Sequence, residues 1–318
     1  MPIEPQLHWG AEALWGHLEP LLPGLSVEVV RSAASTNSVL LDRAHVPHGR
    51  DSEHSALDTA EADLPAQVQR SVESAAFGRR AIDLQPCLLV AEQQTAGRGR
   101  QGRPWHSEPG ASLTFSLSLS LACADLSGLS LAVGVALCEA LDAGGRGTAG
   151  PHLALKWPND LWLVDGAAPG VGRKIGGVLI ETVAAGAHRL AIIGVGINVM
   201  PFDVHGVNTG FAALQELDPG ATAPQALARV ALPLVQALKQ FERDGFAPFV
   251  DRFSARDLLR DQPVRTTLAD VPEGVARGVS ARGDLLVESA AGLITRVGSG
   301  EVSVRPIGPN QPPAGALA

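Results

Sequence analysis

Lysine is scarce in this 318-residue chain: only Lys156, Lys174 and Lys239 stand among 25 basic residues, so arginine supplies positive charge nearly everywhere else. Where a compact ammonium is kept against that usage, a chemical requirement is expected, because lysine and arginine differ in donor geometry and hydration. Lys156 and Lys174 lie in proline- or glycine-marked settings, Lys156-Trp-Pro-Asn-Asp160 and Lys174-Ile-Gly-Gly177, whereas Lys239 falls on a helical pattern as a solvated face residue. Cysteine is equally sparse. Cys87, Cys123 and Cys138 show no CxxC spacing and are odd in number, which argues against a zinc site or a disulfide framework and for thiols in a reducing cytoplasm. Net positive charge is missing too: at -8, the chain has no general affinity for nucleic acid or an anionic membrane, although a local basic loop can still bind a nucleotide. The most apolar stretch, Leu113 to Leu141, is broken by serines, Asp125, glycines and Glu139, so no membrane span is expected. Met1 to Val30 lacks the basic-then-apolar order of a signal peptide.

What the chain does have is concentrated in residues 92 to 107, where Gly97, Gly99, Gly102, Arg98, Arg100, Arg103 and Trp105 share one loop behind an apolar strand. The glycines can adopt backbone conformations closed to other residues and let amides approach a ligand. The guanidinium forks match phosphate oxygens, and the indole offers a flat apolar lid. Elsewhere the pattern predicts strands at Val27 to Arg31, Cys87 to Ala91, Leu153 to Lys156, Asp160 to Val164, Ile175 to Thr182 and Leu190 to Asn198. Leu113, Phe115, Leu117, Leu119 and Leu121 alternate with Ser or Thr, the mark of a strand with one buried face. Helices are predicted after the capping run Ser35-Thr36-Asn37, over Ser127 to Ala143, over Gln225 to Arg243 with a kink at Pro233, and over Ala247 to Leu259. Residues 43–83 read as an insertion, partly helical or disordered. Past Asp261, five short strands suit a small antiparallel barrel, and residues 309–318 read as a disordered tail.

Gly97, Gly99 and Gly102 satisfy GxGxxG, but a dinucleotide fold needs a helix opening straight from the glycines, and this loop runs through Pro104, Ser107 and Gly110 into the alternating strand. No GxxxxGK[ST] sequence is present, so the arginines must supply what a helix dipole supplies elsewhere. Four motifs then follow in order: Gly97-Arg-Gly-Arg-Gln-Gly-Arg-Pro-Trp105, Lys156-Trp-Pro-Asn-Asp160, Lys174-Ile-Gly-Gly177 and Gly194-Val-Gly-Ile-Asn198. Together they make the chain resemble the biotin-protein ligase family from Ser35-Thr-Asn37 to Gly300-Glu-Val-Ser-Val-Arg305, in the form without an N-terminal DNA-binding domain.

That resemblance implies an α+β fold: a class II aminoacyl-tRNA-synthetase-like catalytic domain over residues 1–259 and an SH3-like barrel over 260–308. It also implies activation of biotin by ATP as biotinyl-5'-AMP, with Mg²⁺, and transfer to a lysine of the biotin carboxyl carrier protein of acetyl-CoA carboxylase. Lys174, Arg100 and Lys156 are the expected catalytic residues. Ser35, Thr36, Asn37, Gln94, Gly97, Arg98, Gly99, Arg100, Lys174 and Gly177 are expected to bind biotin. Arg98, Arg100, Arg103, Trp105, Asn159, Lys156 and Asn198 are expected to bind ATP or the adenylate, with Gly194 and Gly196 allowing close approach. Asp160 and Asn159 would orient Lys156 or place the metal. A monomer or homodimer working in the cytoplasm, without nucleic acid or membrane, is expected. The alternatives are a lipoate or octanoate ligase of the same fold, for which the RRxSGGG-type stretch is missing, and a noncatalytic biotin-binding regulator, for which retention of Lys174 is unexplained.

Overall fold

The computed structural model describes residues 7–45, 76–77, 85–123, 125–145, 150–165, 171–185, 188–204, 210–299 and 304–306. The chain opens with helix α1 (Ala11–Leu18), strand β1 (Ser26–Ala33) and helix α2 (Thr36–His45). Strands β2 (Ala76–Phe77), β3 (Cys87–Gln94), β4 (Gly97–Arg98), β5 (Pro104–Trp105) and β6 (Ser112–Leu121) lead to helix α3 (Leu129–Leu141). Strands β7 (His152–Lys156), β8 (Asp160–Val164), β9 (Arg173–Ala185) and β10 (His188–Asn198) precede helices α4 (Ala223–Asp244) and α5 (Val250–Ser254). Strands β11 (Pro263–Thr266), β12 (Glu273–Val279), β13 (Leu285–Glu288), β14 (Ile294–Val297) and β15 (Val304–Pro306) complete the described chain.

One mixed sheet, ordered β2-β1-β3-β6-β10-β9-β8-β7, organises the larger part, with only β1 and β3 parallel. The apolar residues of β6, with Ile193, Val195 and Ile197 of β10, pack against α3 and α4 in the main core. On the opposite face Val30, Ala33, Leu89, Ala91 and Ile192 pack against Leu40 and Val39 of α2. The serine and threonine face of β6 is therefore not solvated, as its alternation suggested: Ser112, Thr114, Ser116 and Ser118 are buried beneath α2 and the glycine-rich segment. A sheet covered on both faces erases the in-out meaning of the pattern.

Helix α4 runs through Pro233 as one helix, its amphipathic stripe of Leu227, Val230, Leu234, Val235, Leu238 and Phe241 outweighing the lost backbone donor. Residues 247–259 are not one helix: a 3-10 turn and α5 end at Ser254, and Asp257 then bridges to Leu155, so this stretch braces the edge strand β7 instead. Helix α2 extends to His45 and Ala76–Phe77 pair with β1, so these parts of the expected 43–83 insertion belong to the main fold. Its remainder, and the expected tail at 309–318, lie outside the described residues.

The C-terminal strands form a second, five-stranded antiparallel sheet, β14-β13-β12-β11-β15, with Val264, Ala276, Leu285 and Val287 inside. It docks where Trp157, fully buried, donates its indole N–H to the Gly283 carbonyl at 3.0 Å. Packing was the expectation for Trp157, and packing is its place. Among the described residues, no helix is long and apolar enough to cross a membrane.

Candidate functional site

The face of the sheet under α2 carries small or polar residues where β6, β10, β9 and β8 meet: Ser116, Gly194, Gly196, Gly177 and Asp160. Three of the sequence motifs converge there because cross-strand partners project to one side of a sheet. Gly196 pairs with Gly177, and Gly177 in turn with Asp160. A bulge between Leu161 and Trp162 shifts the register so that Trp162 lies opposite Lys174.

Lys174 Nζ donates to Asp160 Oδ1 at 2.7 Å and stands 5.9 Å from the centre of the Trp105 ring. Its backbone is pinned from outside the sheet, with Lys174 N donating to Gly210 O at 3.2 Å and Ala212 N donating to Lys174 O at 3.0 Å. Asp160 thus touches Lys174, a contact that the sequence reading, which set Asp160 beside Lys156, did not include. Lys156 pairs with Asp160 across the β7-β8 hairpin, and its ammonium sits 5.6 Å from the centre of the Trp162 ring. Asn159 is occupied by backbone, donating from Nδ2 to Val178 O at 2.7 Å, with its Oδ1 accepting from Arg100 at 3.4 Å.

The glycine-rich segment is a small hairpin: β4 and β5 pair, and a 3-10 turn over Arg100–Gly102 joins them. Of its three glycines only Gly102 needs the left-handed region, at φ 69°, together with Gln101 at φ 57°. Gly97 is there for proximity, since a Cβ would come within 2.5 Å of the Trp105 carbonyl oxygen, and Gly99 is extended. The arginines point in different directions. Arg98 reaches Glu181 at 3.4 Å, Arg103 reaches Gln101 at 3.3 Å, and Arg100 donates from Nη2 to the Ser299 carbonyl of the C-terminal sheet at 2.5 Å. Burial pulls the Arg100 guanidinium below its ordinary pKa, Arg103 adds to that, and Asp160 opposes it. Trp105 lies flat over Gly196, where a Cβ would meet the indole at 2.5 Å, and its ring N–H is buried without a hydrogen-bond partner among the described residues.

At the other end, Ser35, Thr36 and Asn37 open α2 with all three side chains buried. Ser35 caps the helix by accepting from Ser38 N at 3.4 Å. Gln94 Oε1 accepts from Thr36 N at 2.8 Å and lies 3.3 Å from Thr36 Oγ1. Ser116 Oγ is 2.6 Å from both Thr36 Oγ1 and Asn37 Oδ1, while Asn37 Nδ2 donates to Glu181 Oε2 at 2.8 Å and Leu179 O at 3.3 Å. Ser116 and Glu181 were missed in the sequence. Their signal was there, a hydroxyl on every second residue of β6 and a lone acid in an apolar strand, but it carried the meaning of a solvent face. Asn198, expected to read an adenine edge, is buried and donates from Nδ2 to the Ala212 carbonyl at 3.1 Å.

Gly194 and Gly196 do permit close approach, but it is Asn37 and Trp105 that approach. A Cβ on Gly194 would overlap the Asn37 side-chain oxygen, which Ser116, Glu181 and Leu179 hold in place. Gly194→Ala is therefore expected to cost about 1–3 kcal/mol of stability through overpacking, read as a lower urea midpoint. A midpoint equal to the parent's would mean that Asn37 is free to move aside.

Residues 79–198 match the model of the Biotin/lipoate A/B protein ligase family, and residues 261–305 match the Biotin protein ligase C terminal domain. The biotin--[acetyl-CoA-carboxylase] ligase of Paracoccus denitrificans is 30% identical over 241 residues, which cover 67% of this chain and 90% of that relative. The bifunctional ligase/repressor BirA of Salmonella typhimurium is 36% identical over 222 residues, 68% of this chain and 66% of the relative, so the chain spans just under two thirds of that protein. Among solved structures, biotin protein ligase from Aquifex aeolicus in complex with biotin and ATP superposes with a TM-score of 0.61 at 24% identity, covering 88% of this chain and 99% of that one, a likeness of fold.

Proposed function

The chain belongs to the biotin protein ligase family, and from that premise we propose that it joins biotin to ATP and passes the biotinyl group to a lysine of a biotin carboxyl carrier protein. The observation that carries this reading is the Lys174–Asp160 pair at 2.7 Å, set between a buried polar chain from Gln94 to Glu181 and an arginine hairpin. A cyclic urea suits the polar end, which gathers the hydroxyl and amide groups of Thr36, Asn37, Gln94 and Ser116. An acyl phosphate suits the other end, beside Lys174 and the Trp105 ring.

In the first step a biotin carboxylate oxygen attacks the α-phosphorus of ATP, and the bond to the bridging oxygen breaks as pyrophosphate leaves. Two anions must meet, so the barrier is largely electrostatic and is lowered by cations already in position. Lys174, pinned at its backbone and aimed by Asp160, is the donor for the carboxylate or the developing α-phosphate charge. Trp105 covers the mixed anhydride against water, and its unpartnered N–H is a donor that a ligand oxygen can take. In the second step the neutral amine of the acceptor lysine attacks the acyl carbon and AMP departs. Asp160 accepts from Lys174 at 2.7 Å, and no group of three His, Cys, Asp or Glu gathers among the described residues. Mg²⁺ would enter with the ATP phosphates as part of the substrate.

The edge of β9 beyond Gly177 has no strand partner on its β8 side among the described residues, which suits addition of a strand from a carrier domain or a second chain. The three free cysteines suit a reducing, cytoplasmic setting. Purified protein with biotin, MgATP and a carrier domain should release pyrophosphate and biotinylate the carrier, and lipoate should not replace biotin. Folded protein that releases no pyrophosphate in response to biotin would overturn the reading.

A further inference from the structure

We propose that Glu181 is a positioning residue that fixes the direction of the hydrogen-bond chain at the ring-binding end of the site. The ligand's identity rests on the biotin reading above; the chain of contacts stands on geometry alone. Asn37 faces two groups that can only accept, the Glu181 carboxylate at 2.8 Å and the Leu179 carbonyl at 3.3 Å, so its amide nitrogen must point toward them. Its Oδ1 is then turned to Ser116 at 2.6 Å and can only accept. Ser116 has one hydroxyl proton, which goes to Asn37, so the 2.6 Å contact with Thr36 must be a donation from Thr36 to Ser116. The Gln94 oxygen keeps its stronger donor, the Thr36 backbone N–H at 2.8 Å.

The result is a directed chain, Thr36 to Ser116 to Asn37 to Glu181, in which every proton points toward one carboxylate. The Thr36 hydroxyl, its proton given to Ser116, is left as an acceptor, and the ureido ring of biotin brings N–H donors. An uncharged amide at position 181 removes the shorter of the two acceptor contacts and leaves only the Leu179 carbonyl at 3.3 Å to hold Asn37, so the share of turned amide rises, and each turn reverses the two hydroxyl protons and presents donors to donors. The visible ion pair of Glu181 with Arg98, at 3.4 Å and with 27% and 44% of the side chains exposed, is too long and too wet to be its main purpose.

Glu181→Gln keeps the size and removes the fixed polarity. The dissociation constant for biotin, measured by calorimetry without nucleotide, should rise roughly tenfold, as for loss of one charge-assisted bond, while ATP affinity and the thermal midpoint stay near the parent's. Ser116→Ala removes the middle link, so it should weaken biotin by itself and leave Glu181→Gln less than about a twofold further effect, the non-additivity of a shared chain. Additive losses, or a Glu181→Gln protein that binds biotin as the parent does, would overturn the role of Glu181 and leave the enzymatic reading standing. A parent protein that binds no biotin would overturn both.

Discussion

Lys174→Ala is expected to leave a folded protein whose biotin-dependent pyrophosphate release falls at least ~10²–10³-fold, the loss seen when one preplaced charge-stabilising donor is removed. The side chain is 27% exposed and pairs with an Asp160 that is 17% exposed, so its removal strips no large apolar contact and strands no fully buried carboxylate. The strand itself is held by backbone bonds to Gly210 and Ala212 that the substitution does not touch. The loss should therefore appear in the adenylation rate and spare the circular dichroism spectrum. Lys174→Arg should not restore the rate, because a planar fork cannot occupy the place of a compact ammonium between Asp160 and the Trp105 ring. A rate within about tenfold of the parent for Lys174→Ala would show that the reacting anions are neutralised elsewhere.

The scarcity of lysine made this residue legible before any coordinates. With arginine used for generic positive charge, Lys156 and Lys174 stood out, and in the structure Lys174 meets Asp160 while Lys156 stands over the Trp162 ring. Strands and helices with a clean period were legible as well, since burial on one face writes itself into spacing. The contact of Asp160 with Lys174 was not, because the β-hairpin sets Lys156 opposite Asp160 and only the bulge in the next strand brings Lys174 to the same carboxylate. The glycines misled in a similar way. In a sequence they suggest left-handed turns, yet Gly97, Gly194 and Gly196 answer to side chains and backbone that cross them from elsewhere in the chain. The buried Ser116 could not be told from a solvated serine, for alternation reports two faces and not what covers each.

Arg256→Leu is expected to cost about 3–5 kcal/mol of stability, because it leaves one charge of a buried ion pair without its partner. Arg256 and Asp142 are 8% and 7% exposed, and Arg256 Nη1 lies 3.0 Å from Asp142 Oδ2 and donates to the Leu153 carbonyl at 3.0 Å. Asp142 also accepts from Leu153 N at 2.8 Å and Gly145 N at 3.0 Å. Burial alone would raise the Asp142 carboxyl; the Leu153 amide, the guanidinium and the Gly145 amide more than offset it and hold the group below the usual carboxylate range. A carboxyl depressed on folding contributes stability that is complete above its unfolded pKa of about 3.9. That contribution disappears as pH falls through the lower folded value. Urea unfolding of the parent should thus show an acid-side loss that Asp142→Asn lacks, the amide variant being weaker at neutral pH and flatter below about pH 4. The same clamp grips both backbone groups of Leu153, and Leu155 N donates to the Arg256 carbonyl at 2.8 Å, so the edge strand that ends at Lys156 hangs from this pair. Hydrogen exchange in residues 152–156 should therefore accelerate in Arg256→Leu more than exchange in β6 or β10. Uniform acceleration across the sheet, or a stability loss below about 1 kcal/mol, would show that the pair is not what holds that edge.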